Sequence, residues 1–145
     1  MFSVRKFEPN DMFSVIKLAS ETLTEKYNPT IFNYFYETFR EYFLVAESAH
    51  KIISFIIGAE INSSKIKILM LSVSKKYRRK KVGNTILKEL EKIILKKGIN
   101  DIELEVRTKN NTAIKFYQKN GYKIKNKMGN YYQNGENAYI MRKKI

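Results

Sequence analysis

The segment Lys75-Lys76-Tyr77-Arg78-Arg79-Lys80-Lys81-Val82-Gly83 decides how this chain is read. Ahead of it, Ile66–Val73 reads as a long strand with an apolar run near its end. Behind it, Gly83–Lys97 is the clearest helix in the sequence. Val82, Ile86, Leu90, Ile93 and Ile94 form one stripe at helical spacing, and Gly98 supplies the stop. Where a strand hands over to a helix, the first N–H groups of the helix lack partners and sit at the positive end of its dipole, which makes a ready anion site. Six basic residues just before the helix deepen that potential, and Gly83 lets backbone approach closely. The bland alternative is a basic turn that is only solvated.

Outward from this segment the elements alternate in type. Phe2–Lys6 reads as a short strand, and Asn10 or Asp11 as the cap of a helix carrying Met12, Val15, Ile16, Ala19 and Leu23 on one face. The prolines, Pro9 and Pro29, fall between elements. Ile31–Tyr42 is an aromatic-rich helix, and Phe43–Glu47 and Ile52–Ile61 are strands joined by a turn at Ser48–Lys51. Asn62-Ser63-Ser64 is a second turn. Past the strong helix, Ile102–Arg107 alternates, with Ile102, Leu104 and Val106 on one face and Glu103, Glu105 and Arg107 on the other. Asn110, Asn111 or Thr112 caps a short helix that Gly121 ends. Tyr122 onward and Ala138–Lys143 close the chain as antiparallel strands. The order βααβββαβαββ implies an α+β, three-layer domain over residues 1–145: a mixed sheet of about seven strands with four helices on its two faces.

Composition narrows the classes. The chain of 145 residues is 43% hydrophobic and 13% aromatic, enough for an ordinary core without staples. With no cysteine there is no disulfide, thiolate zinc site or cysteine nucleophile, and no metal-ligand cluster is visible. The start lacks an apolar signal region, and runs such as Phe55–Ala59 are far shorter than a membrane span, so a cytoplasmic protein with no membrane partner is expected. The net charge of +14 favours anionic partners: nucleic acid, a ribosome surface, an acidic peptide or a phosphorylated cofactor. A lysine-rich compositional bias accounts for the same number, because the excess is spread along the chain.

The strand–loop–helix unit resembles the pyrophosphate loop of GNAT acetyltransferases, whose pattern is Gln or Arg, two variable residues, Gly, one variable residue, then Gly or Ala. Arg78 matches the first position and Gly83 the last, while Lys81 stands where the middle glycine is usual. If that position needs a positive φ, lysine costs on the order of 1 kcal/mol. The stretch Leu104–Tyr122 and the ending Asn130-Tyr131-Tyr132-Gln133-Asn134-Gly135-Glu136-Asn137-Ala138-Tyr139-Ile140-Met141-Arg142 are similar to the ribosomal-protein and N-terminal-residue acetyltransferases of that family. The resemblance runs over about residues 66–143.

The resemblance implies acetyl-CoA as co-substrate, with the pyrophosphate on Arg78, Arg79, Lys80, Lys81, Val82, Gly83 and Asn84. It implies main-chain pairing of the pantetheine with Leu71 and Val73, whose strand also supplies N–H groups for the developing oxyanion. Asn110 either contacts the pantetheine or caps its helix. Glu105 matches the general base and Tyr117 the general acid facing the sulfur; their alternatives are a solvent-face carboxylate and a packing aromatic. An α-amine titrates near 7.7–8.0, so a carboxylate acting through one water suffices for it. Leu23-Thr24-Glu25-Lys26-Tyr27 resembles the acceptor loop, with Glu25 at the acidic position of the branch that takes small or acidic first residues. Tyr27, Tyr131 and Tyr139 match substrate-contacting tyrosines. The expected function is therefore acetylation of a protein N-terminal α-amine, of a ribosomal or nascent chain, in a ternary complex. The alternatives are a lysine or small-amine acetyltransferase, or a ribosome- or RNA-binding module on a GNAT core. Ser72 lacks a His–Asp relay and reads as structural; His50 falls in a hairpin turn.

Overall fold

A computed structural model describes residues 1–145. Its elements are β1 (Ser3–Lys6), α1 (Met12–Thr22), α2 (Thr30–Phe39), β2 (Phe43–Ser48), β3 (Lys51–Asn62), β4 (Lys65–Val73), α3 (Val82–Lys96), β5 (Asp101–Arg107), α4 (Asn111–Lys119), β6 (Lys123–Met128) and β7 (Ala138–Lys144). The order agrees with the sequence reading. One sheet holds all seven strands in the order β1-β2-β3-β4-β5-β7-β6, and only β4 and β5 pair in parallel, across the α3 crossover.

Each face carries its own core. Val82, Ile86, Leu87, Leu90 and Ile94 of α3 and Ile114 and Tyr117 of α4 pack on Ile66, Ile68, Leu104, Val106 and Met141. On the other face, Val15, Leu18 and Ala19 of α1 and Phe32 and Phe35 of α2 cover Phe43, Val45, Phe55, Ile57 and Met70. The helical stripes and strand alternations seen in the sequence are these two buried surfaces.

Two boundaries differ from expectation for physical reasons. The aromatic helix stops at Phe39, and Arg40–Tyr42 tightens into a 3-10 turn that delivers Phe43 to β2. Asp11 occupies the first flanking position of α1, but its carboxylate does not cap that helix. It accepts two bonds from Arg5, at 2.7 and 3.0 Å, and one from the Glu8 N–H at 2.9 Å, with Arg5 also reaching Glu47.

The apolar run in β4 marks a phase slip. Ile57 pairs with Met70 and Gly58 with Ile68, so Leu69 is an extra residue. Before it, Ile66 and Ile68 face α3; after it, Met70 faces α1 and α2 while Leu71 and Val73 pack against the α3 side. A bulge bends its strand and increases local twist. Pairing of β4 with β5 ends at Ile68↔Leu104, directly before the bulge. Beyond that point the two strands part, leaving a gap in the middle of the sheet.

Candidate active site

The gap is bordered by β4 on one side and β5 on the other. The Ser74 N–H donates to the Ile53 carbonyl, and the Ser72 carbonyl accepts from the Ser54 hydroxyl, so those groups turn toward β3. By alternation, the N–H and C=O groups of Leu71 and Val73 turn toward the gap. Only the Val73 carbonyl has a contact there, from Arg78 Nε at 3.4 Å. Ser72 is buried and its hydroxyl bonds that of Thr22 at 2.9 Å, a structural role.

At the end of β4, Lys75–Tyr77 forms a 3-10 turn and residues 78–81 lead into α3. Arg79 and Lys81 both have positive φ, 61° and 65°. Lys81 immediately precedes α3 and adopts the left-handed conformation that suits glycine. Its carbonyl accepts from the backbone N–H and hydroxyl of Thr85 at 3.0 and 2.8 Å. No side chain caps α3, so the N–H groups of Val82, Gly83 and Asn84 remain without intrahelical acceptors. Lys80 lies 5.5 Å above the Tyr77 ring. A Cβ on Gly83 would meet two ring carbons of Phe116 at 3.3 Å. The missing side chain therefore serves the approach of α3 to α4, a need the loop pattern alone does not reveal.

Across the gap, Asn110 caps α4 by accepting from the Ala113 N–H at 3.1 Å. Tyr117, in the last turn of that helix, is 9% exposed and stands edge-on to Phe116 and Tyr122. Burial raises its pKa well above that of a free phenol. It belongs to the core on the α3–α4 face.

Glu105 sits one residue past the last β4–β5 pair, on the opposite face of β5 from Leu104 and Val106. Its carboxylate takes Lys67 Nζ at 2.7 Å and the Tyr131 hydroxyl at 2.7 Å. Tyr131 stays protonated far above neutral pH, first because of burial and then because it donates to this carboxylate. Its ring meets Tyr132 edge-on, and burial pushes the Tyr132 phenol up to about 12. Tyr27, partly covered by the same loops, is raised by burial as well. Glu25 does not stand free: its carboxylate pairs with Arg107.

The site residues thus fall into two groups on either side of the open sheet. Leu71, Val73, Arg78–Asn84, Asn110 and Tyr117 line the β4–α3–α4 side, and Glu105, Tyr131, Tyr27 and Glu25 gather on the α1–α2 side. Tyr139 does not join the group around Glu105: it pairs in register with Val106 and packs against the α3–α4 core. Three residues not singled out from the sequence belong to the second group. Lys67 neutralises Glu105, Arg107 fastens Glu25, and Tyr132 lies under the Arg107 guanidinium at 4.0 Å. The signal for Arg107 was present in the strand alternation, which puts residues 105 and 107 on one face. No group of side chains here is suited to hold a metal ion, and no helix is long and apolar enough to cross a membrane.

Residues 12–122 match the Acetyltransferase (GNAT) family. The chain belongs to that family. An N-alpha-acetyltransferase of Saccharolobus solfataricus is 31% identical over 97% of this chain and 91% of its own length. A spermidine N(1)-acetyltransferase of Thermoplasma acidophilum is 37% identical, over 70% of this chain and 58% of that protein. Among solved structures, Ard1 from Thermoplasma volcanium superimposes with a TM-score of 0.96 at 31% identity, covering 99% of this chain and 97% of the other. This GNAT chain is an acetyl-CoA-dependent N-acetyltransferase with the seven-stranded mixed sheet of its family.

Proposed function

We propose that the chain acetylates the α-amine at the N-terminus of a protein, by direct attack on acetyl-CoA within a ternary complex. The observation that carries this reading is the parting of β4 and β5 after Ile68↔Leu104, with Glu105 on one face of β5 and Tyr117 on the other side of the sheet. A thioester laid in such a gap meets an acceptor entering from the α1–α2 side.

In this reading the free N–H groups of Val82, Gly83 and Asn84 and the side chains of Arg78, Arg79, Lys80 and Lys81 hold the diphosphate. The free main-chain groups of Leu71 and Val73 pair with the pantetheine, and N–H groups of that strand stabilise the carbonyl oxygen as it gains charge. Asn110 acts by capping α4 and so fixing Tyr117. Acetyl-CoA supplies an activated acyl group. The acceptor amine loses a proton to Glu105, directly or through one water, and its nitrogen bonds to the carbonyl carbon. The C–S bond breaks, and the sulfur takes the Tyr117 proton. The raised pKa of Tyr117 keeps that proton available at neutral pH. Tyr27 is a phenolic donor facing the acceptor's main chain, Tyr131, whose proton goes to Glu105, can accept from it, and Glu25 borders its first side chain. Acceptors beginning with Ser, Ala, Thr, Asp or Glu are expected. Residues 61–88 and 106–135 contain no carboxylate, and this basic surface suits acceptors presented on ribosomal or nascent chains in the cytoplasm.

Mass spectrometry of Ser-, Ala-, Met- and Glu-initiated peptides incubated with acetyl-CoA tests the proposal. Acetylation at the α-amine supports it. Acetylation of spermidine or free lysine with no peptide product replaces it with the small-amine reading, which the Thermoplasma acidophilum relative motivates.

A further inference from the structure

Arg107 ends β5 on the same face as Glu105, and its side chain is only 12% exposed. One of its nitrogens pairs with Glu25, in the loop between α1 and α2. Another donates to Glu136 at 3.0 Å and to Asn134 at 3.3 Å, both in the loop between β6 and β7. The guanidinium plane covers the ring of Tyr132 at 4.0 Å. Thr108, the next residue, donates its N–H to the Asn137 carbonyl. One cation therefore ties together two loops more than a hundred residues apart in sequence, and both loops border the face that carries Glu105. Glu25 and Glu136 are themselves mostly covered, with side chains 22% and 29% exposed. Two half-buried carboxylates sharing one guanidinium leave a single net negative charge at this mouth. Without Arg107 it would be two, in surroundings that screen them weakly.

We infer that Arg107 is a positioning and specificity-determining residue: it holds both acceptor loops in place and sets how much negative charge the acceptor's first residues encounter. The specificity half rests on the proposed α-amine reading; the tie between the loops does not. Arg107 is not assigned a catalytic step. Its fork and its stacked plane are both engaged, so lysine does not replace it.

The test uses the full chain and the variants R107Q, E25Q, R107Q/E25Q and R107K. The first readout is kcat/KM for Ser-initiated peptides carrying Glu or Lys at the second position. The second is amide hydrogen exchange in residues 23–29 and 130–137. R107Q makes the mouth more negative, and the Glu-to-Lys preference falls roughly five- to tenfold, mainly through KM. E25Q moves the preference the other way. The double variant restores the net charge and returns the preference to near the wild-type value, although its loops stay loose. Exchange rises in both loops in R107Q and also in R107K, which keeps the charge and so keeps the preference.

A preference that does not follow net charge through this set overturns the specificity role. Loops as protected in R107Q as in the parent overturn the positioning role. If the parent acetylates no peptide, the α-amine reading fails and takes the specificity half with it, while the exchange data still decide whether Arg107 ties the loops.

Discussion

Replacing Tyr117 with Phe removes one oxygen from the place where the departing sulfur must be protonated. The ring stands edge-on to Phe116 and Tyr122, with centroids 5.1 and 5.6 Å away, and phenylalanine keeps both contacts. The hydroxyl is not one of the buried polar atoms left without a partner, and no other side chain bonds to it, so its loss strands nothing and stability should change by no more than about 0.5 kcal/mol. On a domain of this size that moves Tm by about 2 °C or less. The diphosphate contacts lie at the head of α3, on another helix, and CoA affinity should stay within about twofold. Positioned proton transfer contributes roughly 10²–10⁴-fold, and each factor of ten is about 1.4 kcal/mol, so kcat should fall by that factor at an unchanged Kd for CoA. Steady-state turnover on a Ser-initiated peptide, with calorimetric CoA titration and a melting curve on the same sample, reads all three quantities. Burial keeps the native phenol protonated, so the parent enzyme should show no loss of kcat from this group below about pH 10. A variant that turns over within threefold of the parent removes Tyr117 from the proton path, and one that loses CoA binding shows that its role is packing.

Lys81→Gly relieves a left-handed lysine worth ~1–2 kcal/mol, but glycine's freedom in the unfolded chain returns ~0.5–1 kcal/mol of that. Chemical denaturation should therefore differ by less than about 1 kcal/mol, while calorimetry shows CoA binding weakened roughly two- to fivefold by the lost charge. Arg5→Ala strands Asp11, whose side chain is 10% exposed; with Arg5 itself 35% exposed, screening limits the loss to about 1–2 kcal/mol, measurable by urea unfolding. Tyr42, Tyr117, Tyr122, Tyr131 and Tyr132 all have raised pKa values, for which burial is the first cause in every case. The native state holds protons that the unfolded chain releases above its phenol pKa of about 10. The contribution of these phenols is then constant below about pH 10 and falls as pH rises beyond it, and denaturant midpoints at about pH 9 and about pH 11 give the sign.

Local patterns announced the fold because each element repeats its own signal. The β5 alternation and the α3 stripe need no knowledge of distant residues, and the order of strands and helices followed from them. The basic loop was legible for the same reason: its charge, the strand before it and the helix after it are contiguous. Of Asn10 and Asp11, the two caps the sequence offers, Asp11 does flank α1, but its carboxylate turns to Arg5 and the Glu8 N–H because Arg5 lies on a strand whose approach the helix pattern does not state. Tyr139 shows another limit. The family resemblance matches it to a substrate-contacting tyrosine, while the register with Val106 puts the residue on the α3–α4 side of the sheet. Arg107 was seen only as one polar position of a strand, because the loops that meet on it are brought together by the whole sheet.

The strand β4 joins these two kinds of information. Its apolar run is visible in the sequence as Ile68-Leu69-Met70-Leu71, where alternation fails. A strand buried on both faces gives the same run, so the pattern alone leaves the cause open. The pairing settles it: one extra residue at Leu69 reverses which side chains face α3 and bends β4 at the last rung shared with β5. Had the alternation continued unbroken, β4 and β5 would have stayed bonded to their ends, and the main-chain groups of Leu71 and Val73 would have been spent on the ladder. The irregular residue thus opens the sheet where Glu105 and Tyr117 approach it from opposite sides. Deleting Leu69 would keep the pairs Gly58–Ile68 and Ile57–Met70 and leave Met70, Leu71 and Val73 on the faces they now occupy, so it would remove the bend alone and let β4 continue along β5.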